Sequence, residues 1–282
     1  MLTKLTNEPI AALGLSFVVI CVLASFTAPI ISPYEPTAQS LKDNLLPPWS
    51  RDSLGGLRIL GTDQLGRDVF SRLLYGSRVS MIAGVGVVLI AGSSGTLLGI
   101  LAGYAGGIID TLAMRAVDVL FSFPGLLVAL TLARVLGPSL GTTIVILSLY
   151  GWMIFARMAR GSTLSVREEE FIEAARSVGC STPRILLRHV LPNLLPTLVT
   201  LTVLEIAATI LAESSLSFLG FGIQPPQASW GLMIAEGGEY IVNAWWLVTC
   251  PGVAITLLVI SMNVVANRLR VLIDPYQRGK QQ

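Results

Sequence analysis

Long stretches of this sequence carry no charged residue, and they constrain the fold more than any other feature. Residues 10–31 and 245–266 are two of them. A helix needs about 20 apolar residues to cross the hydrocarbon core of a bilayer, because each residue adds about 1.5 Å of rise. Across the chain, 53% of the 282 residues are hydrophobic and 13% are charged, whereas globular domains carry roughly 25% charged residues. The sequence therefore predicts an all-α integral membrane protein.

Six apolar segments are long enough to be transmembrane helices. They cover residues 10–31, 79–104, 116–136, 142–159, 194–211 and 245–266. The first could instead belong to a cleaved signal peptide, but the apolar region of such peptides is usually only about 7–15 residues long. The predicted units are an N-terminal segment with the first helix (1–31), an extracytoplasmic loop (32–78), a five-helix core (79–268) and a cytoplasmic tail (269–282). The core is expected to contain a cytoplasmic hairpin at 160–192 and an extracytoplasmic loop at 214–244.

The distribution of basic residues predicts that both termini lie in the cytoplasm. Loops rich in Lys and Arg usually face the cytoplasm, and the segment 214–244, which would then lie outside, has neither. Arg67, Arg72 and Arg78 disagree with this orientation, because they precede the second helix on the predicted outer side. The residues predicted to face the cytoplasm are Lys4, Arg115, Arg157, Arg160, Arg167, Arg176, Arg184, Arg188, Arg268, Arg270, Arg278 and Lys280.

The sequence argues against several kinds of functional site. Cys21, Cys180 and Cys250 have no paired spacing, so neither a disulfide framework nor a cysteine metal site is predicted. His189 is the only histidine and lies in a predicted inner loop, which disfavours an intramembrane protease, since that enzyme needs a base at membrane depth. The chain has no P-loop pattern for ATP. Its net charge of +2 is not gathered in a stripe, so nucleic acid is not an expected partner.

A few residues within the apolar segments are candidates for helix packing or transport. Gly95, Gly99 and Gly103 are four residues apart and form a smooth face on which another helix can pack closely, in this chain or in a partner. Glu205 lies in the middle of the fifth segment, where a charge costs about 2.5–3.5 kcal/mol. It could line a pore and meet a substrate amino group, or be a structural residue at an interface. Glu213 is a second pore or interface candidate near the outer mouth, with no special role required.

The inner loop at 160–192 has a clear helical pattern at its start. Ser165 and Glu168 fit a capping box, which predicts the first turn of a helix there. The apolar residues that follow have the i, i+3, i+4, i+7 spacing of one helix face. These residues are Phe171, Ala174, Ala175 and Val178.

The second half of the inner loop predicts another helix. Gly179 fits a left-handed C-cap that ends the first helix, and Thr182 with Pro183 fits a new cap and first helical position. Pro192 is expected to stop or bend this second helix. The loop is therefore predicted to be a helical hairpin. By its pattern alone it could rest on the membrane or on its own bundle, or it could dock to a partner.

The hairpin resembles the EAA loop of ABC-importer permeases. Glu173-Ala174-Ala175, Gly179 and Leu191-Pro192 match that loop in residue type and spacing. His189 departs from the family pattern, which often has isoleucine there. Three other stretches resemble the dipeptide, oligopeptide and nickel subfamily, and its C-type subunit in particular. They are GTDQLGRD at 61–68, AGYAGG at 102–107 and LSFLGFG at 216–222, and the resemblance extends over about residues 10–276.

The resemblance implies a type I importer fold and a pore-forming transport permease, not an enzyme, in a bacterial cytoplasmic membrane. The implied partners are a homologous second permease, two ATP-binding cassette ATPases, an extracytoplasmic substrate-binding protein and membrane lipid. This chain would bind no cofactor, because ATP and Mg would sit on the ATPase subunits. The hairpin would be the coupling helix, with site residues Glu173, Ala174, Ala175, Gly179, His189, Leu191 and Pro192.

The implied substrates are di- or oligopeptides, with nickel chelates, glutathione or another small solute as the alternative. The outer loop at 220–238 is expected to cap the pore mouth and contact the binding protein, although a merely solvated loop would fit the same composition. A stand-alone secondary transporter often shows inverted repeats, and no convincing repeat occurs. An exporter would need longer inner helices than these short connections permit.

Overall fold

The structure is a computed structural model that describes residues 8–273 of the 282. Residues 1–7 and 274–282 lie outside it, with the predicted inner residues Lys4, Arg278 and Lys280 and most of the predicted tail. In chain order the elements are α1 (Pro9–Ile31), β1 (Ser50–Arg51), β2 (Leu57–Arg58), α2 (Val69–Ala105), α3 (Gly107–Phe121), α4 (Gly125–Leu136), α5 (Leu140–Val166), α6 (Glu170–Ser177), α7 (Thr182–Ile185), α8 (Leu191–Phe218), α9 (Trp230–Gly237) and α10 (Trp246–Ile273). Three short helical turns join them: Leu41–Asp43 and Gly238–Tyr240 are 3₁₀, and Leu186–Val190 is π-helical.

Five helical stretches in the described residues are long and apolar enough to cross a membrane, and α3 with α4 makes a sixth crossing if this bent pair is one span. The prediction of a single helix over 116–136 is wrong, since α3 and α4 meet at 83°. The break lies at Pro124, which is the N-cap of α4. Proline has no N–H to donate and disfavours a helical conformation at the residue before it.

The second transmembrane helix begins ten residues earlier than predicted. α2 starts at Val69, where Asp68 caps it by accepting a hydrogen bond from the Ser71 backbone N–H at 2.8 Å. Its 37 residues extend about 55 Å, which exceeds the roughly 30 Å of hydrocarbon. The end of the predicted 32–78 loop is therefore the helical start of α2, and part of this helix stands outside the bilayer core.

The glycine face of α2 packs against α5 of the same chain. A Cβ at Gly95 or Gly99 would overlap the carbonyl oxygen of Trp152 or Ala156, and one at Gly103 would lie 2.9 Å from the carbonyl oxygen of Arg160. Two helix backbones approach this closely only where side chains are absent. The neighbour that the sequence left open is thus an intrachain one.

Residues 32–68, which are predicted to lie outside the cell, form a folded segment that we call the outer segment. Its two short antiparallel strands pair Ser50 with Arg58, which is a small departure from the predicted all-α fold. Asp43 is buried in this segment and accepts hydrogen bonds from the Ser40 hydroxyl at 2.6 Å and the Ser53 backbone N–H at 2.7 Å. These hydrogen bonds, the Ser40 bond first, hold the pKa of Asp43 below its ordinary value.

The inner hairpin starts later than predicted. α5 continues through Ser165, whose hydroxyl approaches the carbonyl oxygen of Gly161 within its own helix at 3.5 Å. α6 begins only at Glu170, and its N-cap residue Glu169 makes no side-chain capping hydrogen bond. The predicted capping box is wrong, because Ser165 lies in the last turn of α5 and not at the start of the next helix.

The hairpin turns at the predicted glycine. Gly179 has a φ of +79°, in the left-handed region that favours glycine, and it follows the end of α6. The next helix begins at Thr182 with Ser181 as its N-cap, one position before the predicted cap. Pro192 does not stop this helix, which continues to Phe218. The π-helical turn before Pro192 widens the helix, so that the loss of the proline N–H hydrogen bond is accommodated without a break.

Candidate functional site

The inner hairpin is anchored to the bundle by one face of α6. Ile172 is fully buried and Ala175 is 7% exposed. Both belong to an apolar cluster that includes Ile100 of α2 and Phe155 of α5. The burial of roughly two such side chains contributes a few kcal/mol, so this face fixes the position of the hairpin.

An adjacent face of the α6 region carries an exposed apolar stripe. The predicted apolar face is divided, because Ala175 is buried whereas Phe171, Ala174 and Val178 are exposed, with Val178 at 80%. The hairpin therefore rests on its own bundle, which is one of the alternatives that the sequence left open. Its exposed apolar surface leaves docking to a partner as a prediction.

The structure places the predicted coupling residues in different surroundings. Glu173, Ala174, Gly179 and Pro192 are exposed, His189 and Leu191 are half-buried, and Ala175 is buried. A Cβ at Gly179 would meet no atom of the described chain within 4 Å. The His189 ring lies 6.5 Å from that of Phe171. The exposed residues are accessible to a partner, whereas Ala175 is covered by the helix bundle.

The AGYAGG stretch at 102–107 includes the end of α2, and two of its residues contact the hairpin segment. The guanidinium carbon of Arg176 lies 5.1 Å from the centre of the Tyr104 ring, and its Nε donates to the Tyr104 hydroxyl at 3.3 Å. Arg167 Nη1 donates to the carbonyl oxygen of Gly103 at 2.9 Å. The sequence did not reveal these contacts, because residues about 70 positions apart give no local pattern.

The stretch at 61–68 contributes to a buried ion-pair cluster on the predicted outer side. Arg67 binds Asp63 at 2.6 Å and Glu236 of α9 at 2.9 Å, and Arg72 binds the same two carboxylates. The side chains of both arginines are at most 3% exposed. These two arginines disagreed with the charge rule for orientation, and here each is paired with carboxylates of the same chain.

The LSFLGFG stretch is organised around Glu213. This residue is fully buried, and its carboxylate accepts hydrogen bonds from the hydroxyls of Ser217 at 2.8 Å and Ser80 at 3.3 Å. Ser217 Oγ in turn accepts from the backbone N–H of Ile223 at 3.1 Å. Within this chain Glu213 is enclosed by its own helices, and its role as a pore or interface residue stays a prediction. Spacing alone did not show that serines of two helices would surround it.

Glu205 lies in a different environment from Glu213. It is half-buried on α8, two turns before Glu213, and its carboxylate forms no hydrogen bond or ion pair with the residues that the structure describes. The eight positions between the two glutamates correspond to about 12 Å along the helix. The two acids therefore do not form one site. Within residues 8–273, no group of three or more His, Cys, Asp and Glu side chains could hold a metal ion.

Most of this chain matches the profile of a known protein family. The profile of the family described as "Binding-protein-dependent transport system inner membrane component" matches residues 95–279. The chain belongs to this family. A second profile, the N-terminal transmembrane domain of oligopeptide transport permease C, matches residues 1–48. The family resemblance and its C-type assignment are thereby confirmed.

Several relatives are similar over most of their length. A dipeptide transport system permease protein of Bacillus subtilis strain 168 is 39% identical, with 98% of this chain and 84% of that protein covered. A di/tripeptide transport system permease protein of Pseudomonas aeruginosa is 37% identical, covering 93% and 86%. A glutathione transport system permease protein of Pectobacterium atrosepticum is 38% identical, covering 96% and 89%.

Solved structures support the fold. A chain of the MetNI methionine ABC transporter, in inward-facing conformations, superimposes with a TM-score of 0.56 at 19% identity. The match covers 72% of this chain and 94% of the other. The predicted type I importer permease fold is confirmed. The chain is thus a membrane-spanning component of a binding-protein-dependent transport system.

Proposed function

We propose that this chain forms one half of the pore of an ATP-driven importer for di- or oligopeptides, and that the inner hairpin couples the pore to ATP hydrolysis. The observation that carries the proposal is the division of α6 into a buried face and an exposed apolar stripe. A surface that transmits force has to be fixed to the bundle and open to a partner, and α6 meets both conditions.

The proposed assembly has four kinds of partner. A second permease completes the pore, two ATPase subunits bind ATP and Mg beneath it, a binding protein delivers substrate from outside, and lipid surrounds the helices. Both termini lie in the cytoplasm, so that α6 faces the ATPases. The exposed apolar stripe is suited to this role because monomer surfaces with contiguous apolar patches commonly mark interaction sites.

The coupling mechanism follows from packing. Closure of the ATPase pair displaces α6, and Ile172 and Ala175 pass this displacement to α2 and α5, because close-packed interiors are poorly compressible. The turn at Gly179 connects α6 directly to the helical stretch that continues through the π turn into α8. Movement of α6 therefore reaches the membrane-spanning part of α8 without passing through a long loop.

Peptides are the proposed substrates because two relatives that align with most of this chain are named as dipeptide and di/tripeptide transport permeases. Glutathione is a second candidate, since the relative from Pectobacterium is equally similar. Glutathione is itself a tripeptide derivative, so both candidates share free carboxylates and an amino group. Mass spectrometry of the ligand that remains on the co-purified binding protein would distinguish them.

The coupling role is tested with substitutions on the exposed stripe. We expect Val178→Asp and Gly179→Asp to leave insertion and permease pairing intact, because both positions are open to solvent in this chain. ATPase pull-down, or transport stimulated by the binding protein in proteoliposomes, should fall steeply. Leu54→Asp is the control, because Leu54 is 94% exposed in the outer segment. Normal ATPase binding and normal transport in both hairpin variants would contradict the proposal.

A further inference from the structure

A groove of about 630 Å³ lies between α5, α8 and α10, and Pro192 is the one predicted coupling residue among the described residues that line it. Its volume is within the range of about 300–1,000 Å³ that is typical of small-molecule sites. On α8 its lining extends from Pro192 to Leu204. Leu204 follows Pro192 by twelve residues, which corresponds to about 18 Å of helix, so the groove runs from the end of α8 nearest the hairpin towards mid-membrane.

The lining changes in chemistry along the groove. Near the hairpin it carries Asn193 and Thr197, with Asn267 and Arg270 contributed by the C-terminal part of α10, whereas Leu204 lines the deeper end. No acidic side chain is found among the described residues that line it. The groove therefore pairs one cation with neutral polar groups, a composition that favours an anionic group at its inner end.

The prolines of α8 add hydrogen-bond acceptors to the same surface. Pro192 and Pro196 both line the groove. Because Pro196 has no N–H, the carbonyl oxygen of Pro192 lacks the donor that a helix would normally supply four residues later. Asn193 donates its Nδ2 to the carbonyl oxygen of His189 at 2.7 Å, which leaves its side-chain oxygen as a second acceptor.

We propose that this groove is an exit-side binding site for the transported peptide, in which Arg270 binds the C-terminal carboxylate. The acceptors at Pro192 and Asn193 receive the amino or amide N–H groups of the peptide. An extended dipeptide spans about 7 Å, which fits within the length of the groove. The assignment rests on the proposed peptide-import function and adds a specific carboxylate-recognising residue to it.

Site occupancy is tested first by chemical protection in the assembled complex. Thr197→Cys is introduced into a chain whose Cys21, Cys180 and Cys250 are alanine, and a membrane-impermeant maleimide is added on the ATPase side. We expect labelling that slows several-fold with dialanine but not with dialanine amide, which lacks the carboxylate. No labelling at all would show that the second permease fills the groove and would overturn the inference. Equal labelling with and without dialanine would overturn it as well.

The role of Arg270 is tested by inhibition from the cytoplasmic side. Dialanine at high concentration on that side should slow import by the wild-type complex, and Arg270→Gln should weaken this inhibition several-fold. Arg270→Lys should restore part of it, and Arg115→Gln, an exposed arginine of α3 outside the groove, should behave as wild type. Unchanged inhibition in Arg270→Gln would overturn the inference while leaving peptide import intact. A wild-type complex that imports no dialanine would instead overturn the proposed substrate, and the inference with it.

Discussion

Arg72 at the start of α2 donates a hydrogen bond from Nη2 to Oε2 of Glu236 in α9 at 2.8 Å, across 164 residues of sequence. Glu236 also binds Arg67, and Asp63 binds both arginines. The cluster therefore holds together the outer segment, the first turn of α2 and the short helix α9. Two cations and two anions balance within one buried site.

Removal of one member of this cluster should be costly. Arg72→Met leaves Asp63 and Glu236 with one cation between them, and breaking a buried ion pair from one side costs about 3–5 kcal/mol. Denaturant unfolding of the purified protein in detergent measures this loss. The double variant Arg72→Met with Glu236→Leu should lose less than the sum of the two single variants, because Arg67 and Asp63 remain paired. The exposed Arg51→Met is the control, with an expected change within about 0.5 kcal/mol.

Glu213 should tolerate the loss of its charge but not the loss of both carboxylate oxygens. In Glu213→Gln the amide oxygen can still accept from Ser217, and rotation of the Ser80 hydroxyl lets it accept from the new NH₂ group. Glu213→Leu leaves buried serine hydroxyls without an acceptor, at about 1–3 kcal/mol for each. We therefore expect transport close to wild type in the Gln variant, and reduced stability with weaker transport in the Leu variant. Equal behaviour of the two variants would show that hydrogen bonding at Glu213 is unimportant.

The α2–α5 contact should distinguish two glycines of the same helix. A Cβ at Gly99 would overlap the Ala156 carbonyl oxygen and lie 2.8 Å from the Ala159 Cβ, whereas one at Gly92 would meet Phe155 at an ordinary 3.5 Å. Gly99→Ala should lower the free energy of unfolding by about 1–3 kcal/mol, the usual range for overpacking. Gly92→Ala should be neutral or slightly stabilising, because alanine is the better helix former. A similar loss in both variants would mean that the contact at Gly99 can open at little cost.

The predicted orientation of the chain determines which loop an impermeant reagent should reach. Ser165 and Gln227 are both exposed, the first at the end of α5 and the second before α9. We expect an externally added maleimide to label Gln227→Cys in intact cells and to label Ser165→Cys only after the membrane is permeabilised. The reverse pattern would contradict a cytoplasmic location of the hairpin and of both termini.

Glu205 should face protein or water in the assembled complex, because a half-buried carboxyl with no partner among residues 8–273 is costly against lipid. A nitroxide attached at position 205 reports its surroundings through oxygen and nickel-complex accessibility. We expect low oxygen accessibility compared with a nitroxide at Leu89, an exposed apolar position of α2. Equal oxygen accessibility at the two positions would place residue 205 in hydrocarbon and refute the expectation.

Local signals in the sequence were reliable where backbone chemistry decides the structure. Gly179 adopts the left-handed conformation that its position predicted, because a helix that ends in this geometry selects glycine over side chains with a Cβ. The capping box predicted at Ser165 was wrong. A capping pattern is weak evidence by itself, and here Ser165 lies inside α5, which packs against α2.

The sequence alone determined that the chain spans a membrane, how many apolar segments it has and which family it resembles. Those conclusions depend on composition and on short motifs, which are properties of neighbouring residues. Only the tertiary structure decided that Arg67 and Arg72 are buried beside Glu236, that serines of two helices surround Glu213, and that α6 is buried through Ile172 instead of Phe171. These features depend on which distant segments meet. Periodicity shows that a helix has an apolar face, but the side that is buried is chosen by the surface against which it packs.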